Sequence, residues 1–347
     1  MGVNRIKTIE KIFNKTVASS HIHECVLHVE NTQGDFSYNK GYGGKDINSP
    51  FVIASITKLF TTTCILVLNE QKSLSLSDKI SDYIDDSILR GLHVYDGREY
   101  SYDLTISDLL FQVSGLPDEF EETNDIARLP FMNHDSYQDF TEYVADVKKL
   151  KPRFIPRTAH KAYYANINFD LLGLIIEKVT QQPLEQEFFK RIFEPLGLSN
   201  TYLPTSEHEF IPNVYVKNKS LYRPKTVISS RASGGCISTA HDLMIFMKAF
   251  YGGTLFCKSL FEKLSIYHKL QASKGPIYYG GGYMRIPLDG ILTFFMGKGE
   301  LLGHSGTTGS FAFYYPYKDL FIVGDVNQMA NPAIPIRLVI KLAMSIK

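Results

Sequence analysis

Two tetrapeptides in this 347-residue chain set a serine three positions ahead of a lysine: Ser37-Tyr38-Asn39-Lys40 and Ser55-Ile56-Thr57-Lys58. On a helix that spacing puts both side chains on one face, with Cβ atoms about 5–6 Å apart. A serine hydroxyl is a weak nucleophile until a base takes its proton. A lysine can be that base when burial and positive neighbours lower its pKa. The surroundings separate the two. Ser37 lies in a polar stretch running into Gly41-Tyr42-Gly43-Gly44. The two-residue period of a strand there turns Ser37 and Lys40 to opposite faces. Ser55 follows Phe51-Val52-Ile53-Ala54 and opens an apolar helix. Its N–H then joins the free donors of a helix N-terminus, which favour a developing anion. Lys58 inside such a segment is costly unless it has a partner or a purpose. On this context alone the pair is either a nucleophile with its base, or a solvent-facing cap with a snorkelling lysine.

Other patterns carry less. Gly303-His304-Ser305-Gly306-Thr307 nearly reads as a nucleophile elbow, but Thr307 stands where the last glycine is needed. That serine also lies too late for an acid and a histidine to follow it. Gly297-Lys298-Gly299-Glu300-Leu301-Leu302-Gly303 misses the dinucleotide fingerprint spacing, and no helix follows it. His21 and His23 could form a metal pair, since alternate residues of a strand share one face, but read as an exposed strand edge. The four cysteines, Cys25, Cys64, Cys236 and Cys257, form no CxxC pair and no metal-ligand spacing, and read as buried free thiols.

The elements that must position these residues follow from periodicity. Residues 3–17 predict an amphipathic helix. Residues 23–30 and 35–40 predict two strands about an Asn-Thr-Gln-Gly turn. Helices are expected over residues 55–68, 104–113, 136–150 (capped by Ser136), 166–180, 183–193 and 239–250. Extended segments are expected over residues 278–286, 290–296, 301–305, 311–315 and 320–327, and an apolar helix over 334–346. Strands joined by short turns favour an antiparallel sheet. The simplest architecture lets both chain ends share that sheet, with the helical middle inserted.

Composition excludes more than it selects. The length suggests about two structural units. Lys plus Arg (37) against Asp plus Glu (36) gives a net charge of +1, which argues against a nucleic-acid partner. The longest apolar run, residues 59–68, is too short to span a bilayer. No apolar core of signal-peptide length opens the chain. The sequence as given is therefore expected to be soluble and cytoplasmic, or extracytoplasmic if a leader was removed.

Beyond the first pair, Tyr164-Ala165-Asn166 precedes a predicted helix, and His304-Ser305-Gly306 stands on a predicted strand near the end. By themselves Tyr164 and Asn166 read as a buried phenol and a helix cap. In this order and spacing the three elements resemble the serine β-lactamase and penicillin-binding-protein superfamily. The nearer branch is that of class C β-lactamases, D-amino-acid peptidases and related esterases, with Ser-x-x-Lys, then Tyr-x-Asn, then Lys-Thr-Gly or His-x-Gly. Leu104-Thr105-Ile106, Ser114-Gly115-Leu116-Pro117, Pro195-Leu196-Gly197-Leu198 and the stretch from Ala232 to Leu243 resemble it too, so the likeness covers nearly the whole chain.

The resemblance implies a β-lactamase/transpeptidase-like α/β (α+β) fold, an antiparallel sheet flanked by helices with an inserted all-helical domain. Residues 1–75 and 225–347 would form the discontinuous α/β domain, residues 76–224 the insertion, and the cleft between them the active site. It implies a serine hydrolase that forms an acyl-enzyme on Ser55 and hydrolyses an amide or ester bond in a D-amino-acid peptide, ester or β-lactam. The alternative is a non-catalytic penicillin-binding or ligand-sensing protein of the same fold. Lys58 would hold or take the serine proton. Tyr164 would act as general base and pass the proton to the leaving group. Asn166 would bond the substrate amide or orient Lys58. Ser305 and Thr307 would contact substrate, and the N–H groups of Ser55 and Thr307 would form the oxyanion hole. His304 replaces the lysine of true class C β-lactamases. It is expected in the substrate site as a weaker anchor for a carboxylate, still able to donate a hydrogen bond. A small-molecule or peptide substrate is implied, with no metal and no cofactor; the oligomeric state stays open.

Overall fold

Strands from both ends of the chain build one antiparallel sheet. In the computed structural model, which describes residues 2–19, 21–122 and 130–346, these are β1 (Cys25–Glu30), β2 (Ser37–Tyr42), β3 (His268–Lys269), β4 (Tyr278–Tyr279), β5 (Met284–Pro287), β6 (Glu300–Ser305), β7 (Ser310–Tyr315) and β8 (Leu320–Asp325). Their order is β2-β1-β8-β7-β6-β5-β4-β3. The closing link is β1 against β8, with Val26 opposite Asp325 and Val29 opposite Ile322.

Strand alternation feeds two apolar layers. Leu27, Val29, Phe311 and Phe313 face one side, where they meet Ile9 and Phe13 of α1 (Gly2–Val17) and Leu338 and Leu342 of α7 (Ala333–Ser345). Val26, Ala312 and Val323 face the other side. They meet Leu243, Phe246 and Met247 of the helix Ala240–Gly252, called α6 below. The same core takes in α2 (Thr57–Glu70), α3 (Ile106–Leu110), α4 (Phe140–Lys148) and α5 (Asn166–Thr180).

The α2 helix is buried on nearly every side, as a helix apolar all round should be. Its three threonines are accommodated because each hydroxyl finds a main-chain acceptor. Thr61 donates to Ala232 O (2.7 Å), Thr62 to Lys58 O (2.7 Å) and Thr63 to Leu59 O (2.8 Å).

Several expectations shift. The helix expected from residue 136 starts at Phe140, and its cap is Asp139 rather than Ser136. At Asp139 the bonds are reciprocal: its carboxylate accepts from Glu142 N–H, and Glu142 accepts from Asp139 N–H. The extended segment expected over 278–286 breaks at Gly280-Gly281-Gly282. Gly282 has φ +94°, and a Cβ there would stand 2.1 Å from Thr62 Oγ1, so the chain bends around α2. Residues 290–296 are not extended; they hold a 3-10 turn, Ile291–Thr293. Cys25, Cys64 and Cys236 are buried free thiols, but Cys257 is exposed. His21 and His23 precede β1 rather than forming its edge, and both rings bond Asn218 Oδ1, at 2.9 and 3.1 Å. Among the described residues no helix is long and apolar enough to cross a membrane.

Candidate active site

The chain bends sharply just before Ser55. Phe51–Val52 pairs with Ile237–Ser238. Ala54 then takes a left-handed φ of +46°, and Ala54–Ile56 forms a 3-10 turn into α2. A non-glycine residue held there is strained by about 1–3 kcal/mol and persists only where its neighbours fix it. They do. Ile53 N–H donates to Cys236 O (3.0 Å), and Cys236 N–H to Thr57 Oγ1 (3.0 Å). From the turn after β6, Thr308 Oγ1 donates to Val52 O (2.7 Å) and Ser310 Oγ to Ile53 O (2.7 Å). Gly306 in that turn approaches so closely that a Cβ would lie 2.5 Å from Ile53 O and 3.0 Å from Ala54 Cβ. Glycine is required by this approach, which puts Thr307 and Ser55 on the wall of one cavity.

Lys58 is fully buried, one turn beyond Ser55. Its Nζ has three oxygen partners: Ser55 Oγ (3.2 Å), Asn166 Oδ1 (2.7 Å) and Ser233 O (2.6 Å). An ammonium donates to all three. A neutral amine donates to two and turns its lone pair to the third, and only Ser55 Oγ can then donate back. Burial pushes the lysine well below its ordinary range; Asp170 and Asp118 oppose that. Burial likewise raises the Asp170 carboxyl, whose strongest counterweight is Lys58. Asp170 also accepts from Ser233 N–H (3.1 Å), tying the carboxylate to the segment that holds Lys58.

Tyr164 is buried beside this pair, its ring centroid 5.0 Å from Lys58 Nζ. Burial drives its phenol well above the ordinary value, so it rests protonated. The Tyr-Ala-Asn segment is held by three side chains that the motifs did not single out. Tyr164 N–H donates to Gln271 Oε1 (3.0 Å), Ala165 N–H to Gln112 Oε1 (3.0 Å) and Asn166 N–H to Asp118 Oδ2 (2.6 Å). Asp118 is raised to about 6, chiefly by burial. Gln112 and Asp118 flank Ser114-Gly115-Leu116-Pro117 closely, a stretch already part of the resemblance. Gln271 has no local signal. Asn166 does not cap α5 with its side chain; it accepts from Lys58 instead.

A cavity of about 620 Å³ opens over these groups. Ser55, Tyr164, Asn166, Ser305 and Thr307 line it, as do Glu121 and Lys274. Lys58 lies behind Ser55. His304 departs from expectation: its ring is fully buried and is not part of the cavity wall. Nδ1 faces Ser305 O (2.9 Å), which can only accept, so Nδ1 carries the proton. Nε2 faces the Tyr279 hydroxyl (3.4 Å). Burial first, then Lys58, lowers the imidazole to about 3. His304 is therefore neutral, its one N–H is used on main chain, and it presents no cation or donor to the cleft. Ser37 and Lys40 lie on β2 and bond Glu30 and Glu10.

The Beta-lactamase family model matches residues 11–342. "Protein flp" of Staphylococcus aureus (strain N315) is 30% identical over 203 residues, 56% of this chain, and the match spans 37% of that protein, so little more than a third of its length is represented. The D-stereospecific amidohydrolase from Streptomyces sp. superposes with a TM-score of 0.78 at 23% identity, covering 95% of this chain and 97% of the other. The D-amino acid amidase from Ochrobactrum anthropi SV3, solved with L-phenylalanine amide, gives 0.79 at 20% identity, covering 98% and 97%. At such identities the likeness is one of fold, the β-lactamase/transpeptidase-like arrangement of antiparallel sheet and helices.

Proposed function

Because this chain belongs to the beta-lactamase family, we propose that it is a serine hydrolase that forms an acyl-enzyme on Ser55 and cleaves an amide or ester bond. The observation that carries this reading is the buried Lys58 amine, 3.2 Å from Ser55 Oγ, with two further acceptors that fix its direction.

Neutral Lys58 takes the Ser55 proton as Oγ bonds to the substrate carbonyl carbon. The carbonyl electron pair moves onto oxygen, facing the N–H groups of Ser55 and Thr307. Collapse expels the amine or alcohol, which takes a proton relayed through the Tyr164 hydroxyl from Lys58. Tyr164 serves as a relay rather than the resting base, because burial keeps its phenol protonated. Water then attacks the ester carbonyl, its proton passes to the same centre, and Ser55 leaves with the acid released. Asn166 directs Lys58, and its amide N–H₂ is left to meet a substrate carbonyl. Ser305 lines the cleft where an edge-on acyl group would lie.

The fold neighbours titled as a D-stereospecific amidohydrolase and a D-amino acid amidase make D-amino-acid amides the first substrates to try. The test is labelling with a fluorophosphonate and a fluorescent penicillin, followed by turnover of p-nitrophenyl esters, D-amino-acid amides and nitrocefin. Label should sit on Ser55 and vanish in Ser55→Ala, with turnover of at least one substrate. Stable label without turnover would favour a ligand-sensing protein, and absence of label would sink the nucleophile.

A further inference from the structure

The Tyr164 ring has two lysine amino groups at one distance. Lys58 Nζ and Lys274 Nζ each lie 5.0 Å from its centroid. Lys58 comes from α2. Lys274 ends a short 3-10 turn, Ala272–Lys274, between β3 and β4. The other ionisable groups facing Tyr164 come from three directions. Asp118 and Glu121 follow α3. Tyr279 on β4 and His304 on β6 have ring centroids 5.9 Å away. Asp170 of α5 acts through Lys58. With His304 neutral, Lys58 and Lys274 are the basic side chains at this ring among the described residues.

Lys274 is not free to swing. Its Nζ lies 2.5 Å from Glu121 Oε1. The other carboxylate oxygen of Glu121 accepts from Gln271 Nε2 (3.2 Å), and Gln271 Oε1 holds Tyr164 N–H (3.0 Å). One short loop thus fixes the Tyr164 backbone and carries a charge to its ring. Glu121 and Lys274 both line the cavity, so this field reaches the place where substrate would bind.

Resting on the hydrolase reading above, we propose that Lys274 is a positioning residue for proton transfer, paired with Glu121 so that the two charges set the protonation of the Tyr164–Lys58 centre. A positive charge at this range favours the ionised phenol and the neutral amine; a negative charge favours the reverse. The two partners therefore push in opposite directions. After burial and the two aspartates, Lys274 lowers Lys58 and Glu121 raises it. Glu121 raises the Tyr164 phenol as well. The sign is the same whichever group dominates the observed inflection.

The experiment compares Lys274→Met, Lys274→Arg and Glu121→Gln with the parent protein. One readout is the pH dependence of kcat/KM for p-nitrophenyl acetate. The other, independent of activity, is the titration of Lys58 by ¹⁵N NMR of lysine-labelled protein, with the signal assigned by its loss in Lys58→Ala. Lys274→Met should move both inflections up by about one pH unit, and Glu121→Gln should move them down by a similar amount. Lys274→Arg should leave them in place. A merely structural clasp is broken equally by either neutralisation, so shifts of the same sign, or lower rates with no shift, would overturn the proposal. If the parent protein neither labels nor turns over, the hydrolase reading falls, and the Lys58 titration alone still decides for or against the Lys274–Glu121 pair.

Discussion

Gly306→Ala probes whether the turn after β6 sets the geometry at Ser55. A methyl group at this position would lie 2.1 Å from Ser310 Oγ, 2.5 Å from Ile53 O and 3.0 Å from Ala54 Cβ. The serine hydroxyl can rotate aside. Ile53 O cannot, because it is main chain next to strained Ala54 and already accepts from Ser310. Contacts under 3.0 Å are not sustained by a real Cβ. The turn and the Ser55 segment must therefore part by at least about half an ångström, and by about 1 Å for a relaxed contact. Thr307 follows Gly306 directly and moves with it. A misplacement on the order of 1 Å costs up to about 10²-fold. Loss of one oxyanion donor costs about 10²–10³-fold.

The expected result is a fall of about 10²-fold in kcat/KM for a p-nitrophenyl ester, carried mainly by kcat because the lost interaction belongs to the transition state. Overpacking should lower stability by about 1–3 kcal/mol, measured by urea unfolding. Ser310→Ala in the Gly306→Ala background removes the 2.1 Å clash but leaves the one with Ile53 O. It should not restore activity. Wild-type kcat/KM in Gly306→Ala, or full rescue by the second change, would refute the claim that main-chain approach fixes the site.

Hydrolysis should rise with pH, because Lys58 must shed its proton before it can accept one. Its inflection should fall well below the ordinary lysine value of about 10.4, since burial lowers this amine; a profile flat from about pH 5 to about pH 9 would contradict the mechanism. Asp170→Asn keeps an acceptor for Ser233 N–H but removes the carboxylate that raises Lys58, so the inflection should drop further. Asp139→Ala should cost about 1 kcal/mol in urea unfolding and leave kcat/KM unchanged, because it removes only a helix cap. A thiol reagent should modify Cys257 quickly in the native protein and Cys25, Cys64 and Cys236 only after unfolding; fast native reaction at Cys236 would contradict its burial beside Thr57.

The geometry of the candidate site was legible where its partners lie close in sequence. Ser55 and Lys58 share a helix face, and α5 begins and ends where its pattern placed it, at Asn166 and Thr180. Two misreadings share a cause, a partner distant along the chain. His304 looked cleft-facing from its motif, but Ser305 O and the Tyr279 hydroxyl turn its nitrogens inward. Residues 278–286 looked like one strand, but Thr62 lies where a straight chain would pass. Ser136 and Asp139 are both good caps with an acidic residue three positions on, so the local pattern does not choose between them; the reciprocal bonds form at Asp139 and Glu142. Lys274 and Gln271 carry no motif at all; only the return of their loop to Tyr164 makes them visible.

The positive-φ residue before Ser55 and the buried lysine behind it are both unfavourable taken alone, by about 1–3 kcal/mol for the backbone and several for an unpaired buried charge. What offsets them arrives from elsewhere in the chain. Ser233 O and Cys236 come from the segment before α6, Asn166 from the start of α5, and Thr308 and Ser310 from the hairpin that crosses to β7. Partners near residues 166, 233 and 310 must therefore be in place together before Ala54 and Lys58 become tolerable. The site can exist only once the sheet that joins β1 to β8 has closed, since that closure brings the hairpin to the Ser55 turn. Local unfolding of that hairpin should accordingly release Ser55 and Lys58 together, and fluorophosphonate labelling should be lost with hairpin opening, ahead of global unfolding, as urea rises.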